Sequence, residues 1–295
     1  MNATEITGKT KPKLKAHGQV CPVCGGEGIA EYRFSDASVG RCLQCGHRFT
    51  LAGSIETAEE YTDEYFLETH KNWFSNPNYS LFQKIYDVAK KRAKPGYKVL
   101  DVGCGNGDLL RYLRGKDTSF DCHGIDLAAN APQEGIHFRK GDFLEADYDS
   151  KFDLIVSLAV IEHIVDVSGF VNRMRQLCKP DGFVVVMTMN DDCVTYRIAR
   201  VLFKLGYKTP LQRLYDKHHL NHFSMSSLRN LLERNGLSVL DLYRHNIPLR
   251  AIDIPPSSWL VGVVLKLAVL TIFVLNDITG KTFLQTVICT PKSVS

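Results

Sequence analysis

Apolar runs and amphipathic segments alternate through the middle of the chain. The runs at 97–102 and 152–158 have the length and the β-branched content of strands that are buried on both faces. Residues 79–94 instead place apolar side chains at helical spacing and end at Pro95 and Gly96. Three further strand-like runs lie at 120–127, 136–143 and 183–187. At 295 residues the chain can hold one full α/β domain plus a smaller unit.

The segment 193–205 predicts an amphipathic helix with a basic face. One face carries Ile198, Val201, Leu202 and Leu205, and the other carries Arg197, Arg200, Lys204 and Lys208. A solvated basic face is the usual interpretation of such a pattern. The alternative is that residues 197–208 contact phosphate, either on a substrate or at a membrane surface.

Residues 259–275 are apolar on every side except at Gly262, Lys266 and Thr271. Their length reaches the lower limit for crossing a bilayer. Lys266 at the centre and the strand-like run 282–290, which should return to the main sheet, both argue against a crossing. Two interpretations remain: packing within the fold or in a homodimer interface, and docking on a membrane surface with the help of the basic helix.

A glycine-rich turn lies between the strand at 97–102 and the next helical segment. It reads Asp101-x-Gly103-x-Gly105-x-Gly107. The glycines let a ligand approach the backbone, and the following helix N-terminus offers unpaired N–H groups, which predicts a nucleotide-type site. The dinucleotide fingerprint G-x-G-x-x-G does not fit, because Asp108 occupies its third glycine position.

This turn resembles the first motif of class I S-adenosylmethionine-dependent methyltransferases. Acids end the next two strand-like runs at Asp126 and Asp142, the sequence Ile-Glu-His-Ile follows the run at 152–158, and a Pro-Asp-Gly turn lies at 180–182. The resemblance, which covers 97–190, implies a three-layer Rossmann-like sheet of seven strands whose last strand is antiparallel. It also implies S-adenosylmethionine as cofactor. A doubly wound domain whose glycine turn is only structural is the alternative.

The resemblance also implies which residues bind the cofactor. Asp126 would accept hydrogen bonds from the ribose diol, and Asp142 would lie near the adenine amino group. The full expected set is Asp101, Gly103, Cys104, Gly105, Gly107, Asp126, Leu127, Asp142, Phe143 and Leu158.

Four of the nine cysteines form two Cys-x-x-Cys pairs separated by 17 residues, namely Cys21, Cys24, Cys42 and Cys45. This spacing predicts a zinc ribbon in which four thiolates close the coordination shell of a structural zinc ion. Disulfide pairing is the weaker interpretation, since the N-terminus lacks the apolar stretch of an export signal.

The domain organisation follows from these motifs. We expect a zinc ribbon with a flexible basic N-terminus at 1–55, lid or linker helices at 56–96, and the methyltransferase domain at 97–295. That domain would include a helical insert at 191–217 and the apolar helix at 257–277. Residues 61–66 resemble a stretch found in zinc-ribbon methyltransferases of glycan and antibiotic-sugar pathways, and would form either a lid over the cofactor or an aromatic contact between domains.

Composition and charge limit the classes of binding partner that we expect. The formal charge of +4 lacks the basic excess of a dedicated nucleic-acid binder, and 44% apolar residues are ordinary for a globular protein. We expect a cytoplasmic protein, on the inner face of the membrane if the docking interpretation holds.

The expected reaction is methyl transfer from S-adenosylmethionine to a small molecule, with a sugar hydroxyl in glycan, lipid-linked saccharide or secondary-metabolite synthesis as the acceptor. A hydroxyl acceptor needs a base, and His163 and His222 are the candidates. Ala159 stands where some quinone-type relatives carry an additional metal-binding acid, which argues against metal assistance. The alternatives are an RNA or protein methyltransferase whose ribbon grips the macromolecule, and a non-catalytic adaptor.

Overall fold

The computed structural model describes residues 20–51, 75–128, 134–252 and 259–292. The expected lid at 61–66 lies outside these ranges. Within them the chain forms a small N-terminal sheet, a large mixed sheet covered by helices on both faces, and one long apolar helix.

The large sheet has seven strands, as the resemblance implies. In chain order they are β4 (Lys98–Val102), β5 (Asp121–Asp126), β6 (Ile136–Lys140), β7 (Phe152–Leu158), β8 (Cys178–Met189), β10 (Leu237–His245) and β11 (Leu284–Pro291). Their spatial order is β10-β11-β8-β7-β4-β5-β6. The last strand, β11, runs antiparallel to both neighbours, whereas β4 to β8 pair in parallel. The predicted α/β class and the antiparallel last strand are therefore confirmed.

Helices cover both faces of this sheet. They are α1 (Tyr79–Lys90), α2 (Asp108–Lys116), α3 (Val167–Leu177), α4 (Val194–Lys204), α5 (Thr209–Leu214), α6 (Met225–Arg234) and α7 (Trp259–Thr279), with short 3₁₀ turns at Ile161–His163 and Leu249–Ala251. Alternate residues of the buried strands point to opposite faces. Thus Val99 and Val156 pack with α1 and α2, while Leu100 and Ile155 pack with α3 and α6.

The ribbon adds a second, four-stranded sheet. It contains β1 (Gly28–Arg33), β2 (Ser38–Cys42), β3 (Arg48–Thr50) and β9 (Asn221–His222), in the order β1-β2-β3-β9. The last of these strands comes from the methyltransferase part of the chain, where Arg48 pairs with His222 and Phe49 with Asn221. The ribbon is therefore joined to the larger unit by backbone pairing as well as by the apolar core that Phe49 enters.

Helix α4 lies in the predicted place, but its orientation differs from the expected pattern. The interpretation of its basic face as wholly solvated is wrong for Arg200, whose side chain is only 12% exposed and pairs with Asp191. The apolar residues Val201 and Leu205 are exposed instead. A buried aspartate needs cationic partners, and this need outweighs the burial of the apolar side chains.

Helix α7 is long and apolar enough to cross a membrane: its segment 261–279 has a mean hydropathy of 2.1, and nearly all of it is exposed. Its C-terminal end is tied to the domain, where the amide of Asn276 accepts from the backbone N–H of Val194 at 3.2 Å and donates to Asn246 at 3.0 Å. Packing of this helix inside the fold, one of the two interpretations, is therefore not observed for residues 261–271.

Candidate active site and cysteine cluster

The glycine turn between β4 and α2 folds as a tight loop over the carboxyl edge of the sheet. Gly103, Gly105 and Gly107 all have positive φ, of 70°, 50° and 77°. A Cβ at Gly103 would overlap the Cγ2 of Val160, so this position needs glycine for space as well as for conformation. Gly107 lies at the N-terminus of α2, with no side chain between the helix end and the loop.

A pocket that is open to solvent lies above this turn, the kind of concave site at which small molecules bind. Of the predicted cofactor residues, Asp101, Gly103, Cys104, Gly105 and Leu158 line it. The opposite wall comes from segments that the motifs do not cover, and it includes Asn76, Pro77, Asn78 and Pro248. Only Asn78 has a local signal, because its side chain caps α1 by accepting from Leu81 N at 3.1 Å.

Asp126 lies at the end of β5 beside the glycine turn. Its Oδ2 accepts from Gly105 N at 2.8 Å and its Oδ1 accepts from Ala128 N at 2.9 Å, which fixes the carboxylate against the loop. The backbone N–H of Gly141 donates to Asp126 O at 2.8 Å, so Asp142 follows directly at the same edge. The structure thus brings together the two predicted acids and the glycine turn.

The remaining predicted cofactor residues differ in their exposure. Leu127 is exposed just after β5, and Asp142 is exposed with its Oδ1 accepting from Leu144 N at 2.8 Å. Phe143 is buried and packs edge-on against Phe170 of α3, which makes it a core residue with at most one edge toward a ligand.

Burial changes the acid–base behaviour of Asp101. Its side chain is 3% exposed, and burial, followed by the negative charges of Asp126 and Asp108, raises its pKa to about 8. A cation in the pocket would favour the ionised form of this carboxyl group. The carboxyl group of Asp101 therefore makes the pocket suitable for a positively charged ligand such as S-adenosylmethionine.

A second polar group lies just after β7, which ends at the pocket. The Nδ1 of His163 donates to the carbonyl of His218 at 2.9 Å, so in the neutral ring the lone pair is on Nε2. Glu162 is buried, accepts from the hydroxyl of Thr188 at 2.9 Å, and has its pKa raised to about 7 by burial. One ligand atom from each of Glu162, His163 and His219 lies within 4.8 Å of the others.

This three-residue group was only partly predicted. His163 was singled out from the sequence, but Glu162 and His219 were not assigned a role, since the two histidines lie on separate segments. Two imidazoles and a carboxylate are suitable for proton transfer and also for holding a divalent cation.

His222 occupies a different place from His163. It lies in β9, is 3% exposed, and its ring lies 4.5 Å from that of Tyr215, centroid to centroid. Burial lowers its pKa to about 3. An acceptor would have no access to this ring, so His222 is not suited to be the base.

A buried ionic network joins the ribbon to the large domain. Arg48 of β3 donates to Glu31 at 2.6 Å and to Asp191 at 2.7 Å, and Asp191 also pairs with Arg200 and accepts from Tyr215 OH at 2.7 Å. Burial would raise the pKa of Asp191, but the two guanidinium groups outweigh it and hold the pKa below its usual range. Sequence analysis missed this network because its members are far apart in the chain.

The four ribbon cysteines converge on one point. The Sγ atoms of Cys21 and Cys45 lie 3.6 Å apart, those of Cys24 and Cys42 lie 3.5 Å apart, and all four fall within 4.8 Å of one another. Disulfides would need about 2.05 Å. Sulfur atoms around a tetrahedral zinc ion, each about 2.3 Å from the metal, lie about 3.8 Å apart. The arrangement fits a four-thiolate zinc site.

Comparisons with known proteins agree with this geometry. The family model described as "Methyltransferase domain" matches residues 73–242, more than half of the chain. The chain belongs to this family, and its sheet and glycine turn are those of class I S-adenosylmethionine-dependent methyltransferases.

Curated relatives match only in part. The "Ubiquinone biosynthesis O-methyltransferase" of Azorhizobium caulinodans is 31% identical over 127 residues, covering 39% of this chain and 49% of that protein. The "Probable tocopherol O-methyltransferase, chloroplastic" of Oryza sativa subsp. japonica is 33% identical over 120 residues, covering 36% and 32%. The chain spans about half the length of the ubiquinone-type relatives that it matches.

Solved structures share the fold. A chain of the complex between the Haloferax volcanii Trm112 methyltransferase activator and the putative methyltransferase aligns with a TM-score of 0.52 at 15% identity, covering 78% of this chain and 94% of that one. A putative sarcosine dimethylglycine methyltransferase from Galdieria sulphuraria aligns with the same TM-score at 14% identity, covering 78% and 99%.

Proposed function

We propose that this protein transfers a methyl group from S-adenosylmethionine to a hydroxyl oxygen of a small molecule. The observation that carries the proposal is the pairing of Asp126 with the glycine turn through Gly105 N at 2.8 Å, beside a pocket that Asp101 and Leu158 also line. This edge of the sheet offers a ribose-binding carboxylate, an accessible backbone and a helix N-terminus in one place.

Bound S-adenosylmethionine would supply a methyl group on a positively charged sulfur. Asp126 would hold the ribose, Asp142 the adenine end, and the glycine turn would let the cofactor approach the backbone. The residues of this chain then have to align the acceptor and exclude water, because the displacement itself needs little more. Helix α1 and the loop with Pro248 form the wall that would do so.

His163 is suited to remove the proton from the acceptor hydroxyl. Its Nδ1–H is held by the carbonyl of His218, so its Nε2 is the basic atom. Glu162 lies beside it, and burial raises the pKa of its carboxyl group to about 7. Glu162 is only 2% exposed, so it would act through His163 rather than contact the acceptor itself.

We propose a saccharide hydroxyl, free or lipid-linked, as the acceptor. Support comes from the resemblance of the ribbon and linker to glycan-pathway methyltransferases. The names of the matched relatives, which are O-methyltransferases of ubiquinone biosynthesis and of tocopherol, support oxygen as the acceptor atom and favour a phenol as the competing acceptor class.

The proposal also includes one structural zinc ion in the ribbon, held by Cys21, Cys24, Cys42 and Cys45. The four sulfur atoms have the spacing that a closed tetrahedral site requires. No thiolate position is left for catalysis, so the ion would stabilise the ribbon and, through β3 and β9, the segment that carries His218 and His219.

Radiolabelled methyl transfer tests the function. Purified protein is incubated with labelled S-adenosylmethionine and a panel of sugar nucleotides, lipid-linked saccharides, catechols, RNA and protein. Transfer to a hydroxyl compound that is lost in His163→Ala, with cofactor affinity retained, supports the proposal. Transfer only to RNA or protein, or cofactor binding without transfer to any acceptor, contradicts it. An arm with a chelator, and Mg²⁺ added back, tells whether the Glu162–His163–His219 group acts with a cation.

A further inference from the structure

We infer that helices α4 and α7 form a surface that docks onto anionic lipid, with α7 entering one leaflet and leaving it on the same side. The surface consists of residues 261–275 of α7 and of Ile198, Val201 and Leu205 of α4, and we call it the apolar surface. The two helices contact each other, and these three α4 side chains are exposed.

The distribution of exposed side chains on α7 indicates lipid rather than a protein partner. Val263, Val264, Leu265 and Leu267 are all exposed although they point in different directions around the helix. A packed helix pair or a dimer contact covers one stripe and leaves the rest polar. Hydrocarbon can cover the whole circumference, and only such a solvent suits a helix that is apolar on all sides.

Basic side chains lie beside the apolar surface. Of the four basic residues at 194–208, Arg200 is paired with buried Asp191 and Arg197 is paired with Asp192, which leaves Lys204 and Lys208, and residues 259–276 contain Lys266 as their single charged residue. Lys204 and Lys208 are exposed next to the apolar residues of α4. Basic residues beside an exposed apolar helix complement anionic headgroups, and a single lysine can extend its ammonium group to the interface.

The connections of α7 exclude a crossing. Its preceding strand β10 and following strand β11 are paired at His245 and Leu284, so the chain leaves and re-enters the sheet at one place. The carbonyl of Arg250 accepts from Asn76 at 3.2 Å and is thus held at the domain. From Arg250 to Trp259 the chain reaches at most about 30 Å when fully extended, while the 21 residues of α7 extend about 31 Å. If α7 crossed the bilayer, this connecting backbone would have to pass back through hydrocarbon with its polar groups unpaired.

Docking would bring the pocket to the lipid surface. Pro248, which lines the pocket, belongs to the segment that leads into α7. An acceptor with a lipid tail could then reach the pocket without leaving the membrane. This consequence rests on the proposed function, whereas the docking itself does not.

Flotation of the full chain with vesicles tests the inference without any methyl acceptor. Phosphatidylcholine vesicles are compared with phosphatidylcholine–phosphatidylglycerol vesicles at low and high salt. We expect flotation with the anionic vesicles, reduced by salt. Val264→Glu/Leu267→Glu should lower the bound fraction at least about tenfold, since ionised carboxylates oppose insertion, while circular dichroism and S-adenosylmethionine affinity stay unchanged.

A matched control separates this surface from general hydrophobicity. Leu240 on β10 is 54% exposed, comparable to Val264 at 64% and Leu267 at 58%, and Leu240→Glu should leave flotation intact. Lys204→Glu/Lys208→Glu should reduce binding to anionic vesicles about tenfold or more and leave neutral vesicles unaffected. The inference is overturned if the folded wild type stays at the bottom in every condition. It is also overturned if light scattering shows a dimer that Val264→Glu/Leu267→Glu converts to a monomer without any flotation of the wild type.

Discussion

The buried carboxyl group of Asp101 gives a prediction about stability and pH. Burial, and then the charges of Asp126 and Asp108, raise its pKa from 3.8 to about 8 in the folded chain. The unfolded chain therefore holds fewer protons than the folded chain between about pH 4 and 8, so this group lowers stability as the pH rises through that window. Below the window both states are protonated and the penalty disappears. The neutral variant Asp101→Asn removes the titration.

The size of the effect follows from the two pKa values. Each pKa unit corresponds to about 1.36 kcal/mol. At pH 7, which is 3.2 units above 3.8, keeping this carboxyl group protonated costs the folded state about 4 kcal/mol, and at pH 5 about 2 kcal/mol. The packing of the new amide is independent of pH. The free energy of unfolding of Asp101→Asn minus that of wild type should therefore increase by roughly 2 to 3 kcal/mol from pH 5 to pH 7.

Urea denaturation followed by circular dichroism at pH 5, 6, 7 and 8 measures this difference. Asp149→Asn is the matched control, because that carboxylate is exposed and hydrated in both states. If wild type and Asp101→Asn change in parallel across the range, the carboxyl group of Asp101 is not buried as described and the reasoning is refuted.

The same group links protonation to cofactor binding. Because burial raises its pKa to about 8, the Asp101 carboxyl group is mostly protonated at pH 7 in the ligand-free protein. A cation in the pocket favours the carboxylate, so binding of S-adenosylmethionine should release a proton. Calorimetry in two buffers of different ionisation enthalpy detects the release, which Asp101→Asn should abolish.

Three further predictions concern the site and the ribbon. Asp126→Ala should weaken S-adenosylmethionine binding by about 1.5–3 kcal/mol in calorimetric titration, since a charge-assisted acceptor of the ribose is lost; unchanged affinity would mean that the ribose binds elsewhere. Gly103→Ala should lower both stability and cofactor affinity, because the φ of Gly103 is 70° and a Cβ would meet a valine methyl. Gly115→Ala is the control, since a Cβ at this position in α2 meets nothing within 4 Å. It should be stabilising by about 0.5–1 kcal/mol in the same urea assay. Purified protein should contain about one zinc ion per chain, and Cys21→Ala/Cys24→Ala should lose it in metal analysis; full zinc content in that variant would contradict the ligand set.

The local sequence pattern was sufficient to predict the parts of the fold that consist of consecutive residues. The glycine turn, its flanking strand and the helix after it occupy 98–116 without interruption. Asp126 at the end of β5 and Asp142 just after β6 lie at the same edge of the sheet, because the carboxyl ends of parallel strands meet there. Sequence spacing alone likewise identified the four cysteines that converge in the ribbon.

The parts that sequence analysis missed depend on long-range pairing. Strand β9 has two residues, too few to show any periodicity, and it is defined by β3 more than 170 residues earlier in the chain. Once paired, it buries His222, whereas His163 is half-buried, a distinction between the two histidines that no local signal carries. Pro248 and Asn76 reach the pocket through the same kind of tertiary contact.

The orientation of α4 shows how such a contact reverses a local pattern. Asp191 is buried at the end of β8, and its two guanidinium partners come from the ribbon (Arg48) and from α4 (Arg200). Removing either partner would leave a buried charge undercompensated, which is more costly than exposing two aliphatic side chains. The helix is therefore held with Arg200 inward, and Val201 and Leu205 face outward beside α7. The ribbon thus contributes to the presence of the apolar surface, and removal of the proposed zinc ion should also loosen that surface.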